Sequence, residues 1–245
     1  MHSPPRSILL IADPILPVPP PLYGGIERVV HFLAEGLAAR GSKVTLVCHP
    51  ASTCQVSKIP FAEHDIDRKS RFKNLRMLIR HLLQERYDVV HSFSHVDMAL
   101  PLWPFRQPVI QSFQAMPNWA AFSRRVRYIP KQNLYFTTCG HHMVEKFEGI
   151  APTCGIHNGI ILDQFDYRSQ VAPDAPLVFL GRIEPIKGTH HAIQIARESG
   201  RKLIIAGNRS SDPKLDRYFI EQVNRSLTTR SASSVRLMTS RRMSC

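Results

Sequence analysis

Short apolar runs alternate with amphipathic patterns along most of the chain. The run SILLIA at residues 7–12 predicts a buried strand. A helix is predicted from Gly25 to Gly41, because apolar residues recur there on one helical face: Ile26, Val29, Val30, Leu33 and Leu37. The same reading predicts a helix at 72–83 and strands at 43–48, 88–92, 108–112 and 134–139. This alternation is typical of an α/β fold with an open, doubly wound parallel sheet.

A polar segment with two prolines, YRSQVAPDAP at residues 167–176, predicts a linker between two domains. We expect an N-terminal domain at residues 1–168 and a partial C-terminal domain at residues 176–223. The second domain is predicted to contain strands at 177–180 and 202–206, a helix at 189–198 and a weaker helix after Asp212.

The last segment, residues 224–245, differs from the rest of the chain. It lacks acidic residues and apolar periodicity and is rich in serine and arginine, so we expect an irregular tail. Because the change follows a regular strand and helix pattern, we hypothesise that the second domain is truncated or ends in a frame shift.

The composition is that of a globular protein, with 43% hydrophobic and 21% charged residues. A net charge of +13 suggests an acidic partner, but no Lys/Arg block with interleaved aromatic residues occurs in the body, so we expect no nucleic-acid binding. No apolar run has the length of a signal or a membrane span, so we expect at most peripheral membrane contact. The cysteines are odd in number and lack C-x-x-C spacing, which favours a cytoplasmic location: Cys48, Cys54, Cys139, Cys154 and Cys245.

Two glycine-containing segments lie between predicted strands and helices. In YGGIE, at residues 23–27, the glycines would let a backbone approach a ligand, although a plain turn explains them as well. The third glycine of a dinucleotide fingerprint is missing, so NAD binding is poorly supported. In FLGRIEPIKG, at residues 179–188, Gly181 ends an apolar run and Arg182 and Lys187 follow. They favour an anion at the sheet edge, and the alternative is an exposed ion pair with Glu184.

The histidines and the segment HNGIILDQF, at residues 157–165, give weaker signals. The Asn-Gly pair of this segment is accounted for by a turn. His91 and His95 have a four-residue spacing, but His91 ends a predicted strand, where this spacing does not align the rings. We therefore predict no metal site.

The order of these motifs resembles that of the family 4 retaining glycosyltransferases. Four motifs carry the resemblance: P-x-x-Y-G-G-I-E-R-V-V-x-x-L-A-x-x-L-A-x-R-G, D-V-V-H, N-G-I-x-x-x-x-F and L-G-R-I-x-P-x-K-G. It implies two Rossmann-like domains facing across a cleft, the B-type glycosyltransferase fold, here with an incomplete second domain. It also implies transfer of a sugar, with retention, from a nucleoside diphosphate sugar to an acceptor glycan, lipid or small molecule.

The resemblance also implies roles for individual residues. Gly24 and Gly25 would form the loop that approaches the donor. Arg182 and Lys187, in the loop that begins at Gly181, would neutralise the donor diphosphate without a metal or other cofactor. Three residues are expected in the cleft: Asn158, Gly159 and His91.

Two departures from the family pattern support an alternative function. The family commonly has a histidine at about Phe113 or Gln114, and its acidic E-x7-E motif does not occur in the second domain. No catalytic residue can be assigned. The alternative is a catalytically inactive remnant that binds only an acceptor or a partner.

Overall fold

The structure is a computed structural model that describes residues 6–21, 23–65, 67–102, 104–127, 132–209, 213–225 and 235–238. The chain divides into two compact units, Met1–Phe165 and Asp166–Cys245. This junction lies just before the predicted linker at residues 167–176.

The first unit contains a parallel sheet of seven strands. They are β1 (Ser7–Ile11), β2 (Lys43–Cys48), β3 (Ser57–Pro60), β4 (Val89–Ser92), β5 (Val109–Phe113), β6 (Leu134–Thr138) and β7 (Thr153–Gly155). Their order in the sheet is β3-β2-β1-β4-β5-β6-β7, and every neighbouring pair is parallel. The carboxyl ends of all seven strands therefore lie at the same edge of the sheet.

The helices of this unit connect successive strands. They are α1 (Gly25–Ala39), α2 (Arg68–Gln84), α3 (Val96–Ala99) and α4 (Trp119–Val126), with 3₁₀ helices at Leu100–Leu102, His141–Phe147 and Leu162–Gln164. Asp67 caps α2 by accepting hydrogen bonds from the backbone N–H groups of Lys69 and Ser70 at 2.7 and 3.1 Å. The strand β3 and the helices α3 and α4 were not predicted.

Apolar side chains cover both faces of the seven-stranded sheet. In β1, Leu9 and Ile11 belong to a buried cluster that includes Leu78 of α2. Ile8 and Leu10 belong to a second cluster, with α1 residues. Because neighbouring side chains of a strand point to opposite faces, α1 and α2 cover opposite sides, which confirms the predicted doubly wound α/β fold.

The second unit contains a smaller parallel sheet in the order β10-β9-β8, formed by β8 (Leu177–Leu180), β9 (Leu203–Ala206) and β10 (Val235–Met238). Its helices are a 3₁₀ helix at Pro185–Lys187, α5 (Thr189–Glu198), α6 (Pro213–Tyr218) and a π-helical segment at Phe219–Asn224. Ile193 and Ile205 are buried in its core, whereas Val178 and Leu180 of β8 are exposed. Apolar residues of one face of β8 thus lie in solvent.

Strand β10 corrects part of the expectation for residues 224–245. Val235–Met238 pairs in parallel with β9, although the sequence predicted no regular structure there. Four residues are too few for a recognisable period, and their strand conformation depends on hydrogen bonding to β9. The flanking residues 226–234 and 239–245 of the predicted tail lie outside the described residues. Within the described part of the chain, no helix has both the length and the apolar character that crossing a membrane requires.

Candidate functional site

The two glycines of YGGIE have different surroundings at the start of α1. A Cβ atom at Gly24 would lie 2.5 Å from Pro20 Cβ and 2.9 Å from Glu27 Oε2, whereas a Cβ atom at Gly25 would have no neighbour within 4 Å. Packing against Pro20 therefore accounts for Gly24. Gly25 is exposed, and its predicted approach to a donor stays a prediction.

Two acidic residues that the sequence reasoning missed lie near this loop. Asp13 lies two residues after the end of β1, and its carboxylate accepts a hydrogen bond from the Ile15 N–H at 3.2 Å. Glu27, in the first turn of α1, is 7% exposed. Burial raises the pKa of both carboxyl groups, and the charge of Asp13 further raises the pKa of Glu27. The sequence could have identified Asp13, because it is a polar residue directly after the apolar run SILLIA.

A group of charged residues surrounds Asp97 of α3. Arg71 Nη1 lies 3.1 Å from Asp97 Oδ2, and Arg125 Nη1 lies 2.9 Å from Oδ1. His95 Nδ1 lies 3.2 Å from Oδ2. The Asp97 carboxylate therefore links α2, α3 and α4. The contact of His95 is with Asp97 and not with His91.

His91 belongs to a hydrogen-bonded chain across three neighbouring strands. Its Nε2 atom lies 2.7 Å from Ser112 Oγ, which lies 2.5 Å from Thr137 Oγ1. The imidazole stacks on Phe93 with 4.5 Å between ring centroids. Burial lowers the pKa of His91 to about 4, so the ring is neutral at physiological pH.

The three residues predicted for the cleft line one cavity of about 690 Å³ within the first unit. His91, Asn158 and Gly159 all contribute to it, although they come from distant parts of the sequence. Gln114 also lines it, and its Oε1 atom accepts a hydrogen bond from Asn158 Nδ2 at 2.7 Å. Much of the remaining wall is apolar: Val29, Phe32, Leu33, Phe93, Ile156, Ile160 and Ile161. The cavity combines an apolar surface with a few polar groups, as small-molecule sites do.

Phe113 and Gln114, the two candidates for the position at which the family commonly has a histidine, have different surroundings. Phe113 is buried and packs edge-on against Phe122 and Phe136, with centroid distances of 5.4 and 5.3 Å. Gln114 instead faces the cavity. Of these two residues, Gln114 can present a polar group to the cavity and Phe113 cannot.

In the second unit, the segment FLGRIEPIKG forms the loop between β8 and α5. Arg182 Nη1 lies 3.0 Å from Glu184 Oε1, and the Glu184 side chain is 8% exposed. The ion pair that was the alternative interpretation is therefore present. It does not exclude anion binding, because a guanidinium has five N–H donors and the Arg182 side chain is 45% exposed. Lys187 is exposed, and its ammonium makes no ion pair with any described residue.

The loop ends at the N-terminus of α5. Gly188, with φ 72° and ψ 32°, adopts the left-handed conformation that favours glycine and connects the 3₁₀ helix to α5. Thr189 is fully buried, and its Oγ1 atom has no hydrogen-bond partner among the described residues. The first N–H groups of α5 are largely satisfied within the protein, because His190 donates to Tyr218 Oη at 3.1 Å and His191 donates to the Gly188 carbonyl at 3.0 Å.

A close backbone contact fixes the start of this loop. A Cβ atom at Gly207, which follows β9, would lie 1.8 Å from the Gly181 carbonyl oxygen. Gly181 itself has room for a Cβ atom, whose nearest neighbour would be a Phe179 ring carbon at 3.9 Å. The sequence drew attention to Gly181, but packing requires glycine at Gly207.

Solved glycosyltransferase structures resemble the chain. AviGT4, a glycosyltransferase involved in avilamycin A biosynthesis, matches with a TM-score of 0.65 and 24% identity, over 96% of this chain and 64% of its own. A Rickettsia africae glycosyltransferase matches with a TM-score of 0.64 and 14% identity, over 96% and 68%. HepE from Anabaena, in complex with UDP and glucose, matches with a TM-score of 0.65 and 12% identity, over 96% and 69%. At these identities the likeness shows the fold alone, the B-type glycosyltransferase fold.

The chain thus spans 64% of the length of AviGT4. No curated protein matches it. Residues 23–164, more than half of the sequence, match the family described as Glycosyltransferase Family 4. The chain belongs to glycosyltransferase family 4.

Proposed function

We propose that this protein transfers a sugar from a nucleoside diphosphate sugar to an acceptor, with retention of anomeric configuration. Family membership supports the transfer reaction. The observation that carries the donor assignment is the pair of cations, Arg182 and Lys187, in the loop that leads into α5. HepE, which was solved with UDP and glucose, supports this donor class.

The chemistry of the leaving group explains why cations are needed. As the anomeric C–O bond breaks, negative charge grows on the diphosphate, and fixed positive groups stabilise it. Arg182 offers several N–H donors, and Lys187 offers a mobile ammonium. The buried Glu184 carboxylate orients the guanidinium at 3.0 Å. Each charge-assisted hydrogen bond contributes about 1.5–3 kcal/mol.

The acceptor is assigned to the cavity of the first unit. Its walls are largely apolar, while Gln114, Asn158 and the neutral His91 supply hydrogen-bonding groups without a full charge. This combination suits the hydroxyl groups and apolar faces of a glycan, a lipid-linked sugar or a small molecule.

Substitutions of the two cations test the donor assignment. Calorimetric titration of a panel of nucleoside diphosphates should show at least tenfold weaker binding to Arg182→Ala and to Lys187→Ala, since about 1.4 kcal/mol corresponds to a factor of ten. Lys202→Ala is the matched control, because Lys202 is exposed and precedes β9 at the opposite edge of the same sheet. Unchanged affinity in both loop variants would show that the donor site lies elsewhere.

The alternative function is binding without turnover. The observation that favours it is that Phe113 and Gln114, one of which lies where the family commonly has a histidine, are occupied by a buried aromatic side chain and by an amide that pairs with Asn158. Mass spectrometry of reactions with nucleotide-sugar donors distinguishes the two functions. Neither transfer nor donor hydrolysis with any donor, in a folded protein that binds an acceptor or a partner, supports the alternative.

A further inference from the structure

A group of metal-binding side chains lies in the first unit, beside the helix α1. His31 and Glu35 are four residues apart on this helix, so their side chains share one face. Cys54 reaches them from the loop between β2 and β3. We refer to His31, Glu35 and Cys54 as the His31 cluster.

The donor atoms of the His31 cluster converge. One donor atom from each residue lies within 4.8 Å of the other two. His31 Nδ1 is 3.4 Å from Glu35 Oε1, and Cys54 Sγ is 3.9 Å from the same oxygen. His31 Nδ1 is buried and makes no hydrogen bond within the part of the chain that the structure describes. An unpartnered nitrogen thus faces a carboxylate and a thiol.

We propose that the His31 cluster binds a divalent transition-metal ion, for which its donor set fits Zn²⁺. Imidazole nitrogen, carboxylate oxygen and thiolate sulfur bind zinc at about 2.0–2.3 Å, so donor atoms this close together can contact one ion after small side-chain rotations. Mg²⁺ and Ca²⁺ prefer oxygen ligands and fit this set poorly. Water would complete the tetrahedral coordination.

The surroundings support an ion with a structural role. The Gln55 N–H lies 3.4 Å from Glu35 Oε1 and helps to orient the carboxylate. Cys54 is 1% exposed and packs in the apolar cluster beneath α1. The bound ion would therefore join α1 to the loop after β2. Glu35 also lines the 690 Å³ cavity, so the ion would fix one part of its wall.

Binding would release the thiol proton, because a metal ion binds the thiolate form of Cys54.

Cobalt titration of the full chain tests the site. Co²⁺ should produce a thiolate-to-cobalt charge-transfer absorption that saturates at one equivalent and disappears on addition of Zn²⁺. Cys54→Ser should abolish the band, and Glu35→Gln should weaken Co²⁺ binding more than tenfold. Cys154→Ser is the matched control, because Cys154 is an exposed free cysteine outside the cluster.

Glu35→Gln keeps the test decisive even if Cys54→Ser fails to fold, because the Glu35 side chain is 41% exposed. Zn²⁺ should raise the melting temperature of the parent protein and leave that of Glu35→Gln unchanged. The proposal is overturned if the parent protein shows no charge-transfer band or if the band survives in Cys54→Ser.

Discussion

The loops after β1 and β8 hold the same position in their units, since each follows the first strand of a parallel sheet and leads into a helix. The loop after β1 is long, contains five prolines and has two acidic groups near its ends, the partly buried Asp13 and the buried Glu27. The loop after β8 is short and carries Arg182 and Lys187. Parallel topology creates both positions, but the two loops differ in charge, and the proposed diphosphate site rests on the cations of the second loop.

The two loops also differ in which glycine packing requires. In the first loop, glycine is needed where Gly24 meets Pro20, a contact made within the loop itself. In the second, the required glycine is Gly207, which belongs to the neighbouring strand connection and supports Gly181 from outside. The cationic loop is thus held in place by a backbone contact with its neighbour.

The largest expected loss of stability follows from a substitution of Gly207. A Gly207→Ala substitution places a Cβ atom 1.8 Å from the Gly181 carbonyl oxygen, a backbone atom that cannot rotate away. We expect the free energy of unfolding of the second unit to fall by about 3 kcal/mol, measured by hydrogen exchange of the β9 amides. Gly181→Ala is the control and should have little effect. Equal effects in the two variants would contradict the proposed support from outside the loop.

The next effect is the pH dependence that His91 gives to the first unit. Its pKa is about 4 in the folded protein and about 6.5 when unfolded, so the unfolded chain binds more protons between these values. The free energy of unfolding should therefore fall by roughly 2–3 kcal/mol as the pH falls from about 6.5 to 4.

His91→Gln should remove this part of the pH dependence while keeping a hydrogen bond to Ser112. Denaturant titrations followed by circular dichroism at several pH values would measure it. An identical pH profile in the variant would show that other groups cause the acid sensitivity.

Gly24→Ala should have a somewhat smaller effect. The new Cβ atom would lie 2.5 Å from Pro20 Cβ, and proline has little freedom to move. We expect a loss of about 1–3 kcal/mol in the free energy of unfolding of the first unit. Gly25→Ala should be neutral or stabilising, because its Cβ atom meets no neighbour. Chemical denaturation of the two variants side by side tests whether the first loop is closed by its own packing.

Glu27→Gln should change the free energy of unfolding least among these variants, and it should raise this free energy instead of lowering it. Burial raises the pKa of Glu27, so the folded state loses stability as the pH rises through the range between the ordinary and the raised value. The amide lacks this penalty, so the variant should gain less than about 1 kcal/mol at pH 7 and nothing at pH 4. Thermal melting at both pH values would measure it, and a destabilised variant at pH 7 would contradict the assignment of an unfavourable buried charge.

The parts of the fold that the sequence predicted are those with clear periodicity. The bounds of β2, β8 and α5 agree with the predicted residues 43–48, 177–180 and 189–198. Two of the missed strands lack such a pattern, whereas α4 has one, because Asn118 caps it and Phe122 and Val126 are buried four residues apart on one face. Strand β3 has the sequence SKIP, whose strand conformation depends on pairing with β2, and β10 depends in the same way on β9.

The candidate sites were predictable to different degrees. Arg182 and Lys187 could be found because both lie in one short segment next to a strand. The ion pair of Arg182 with Glu184 was weighed as an alternative and is present. The hydrogen bond between Gln114 and Asn158 could not be found, because 44 residues separate the partners. The prediction of no metal site considered only histidine spacing, which does not connect Cys54 with His31 and Glu35.

By itself, the sequence determined the alternating strands and helices, the motifs of the family and the two cations beside α5, because these depend on local spacing and residue type. The tertiary structure decided which glycines packing requires, which carboxylates and imidazoles lose contact with water, and that His91, Asn158 and Gly159 line one cavity. It also brought Cys54 to His31 and Glu35. Burial and the meeting of distant residues depend on how the strands order in the sheet, and no local pattern of residues specifies that order.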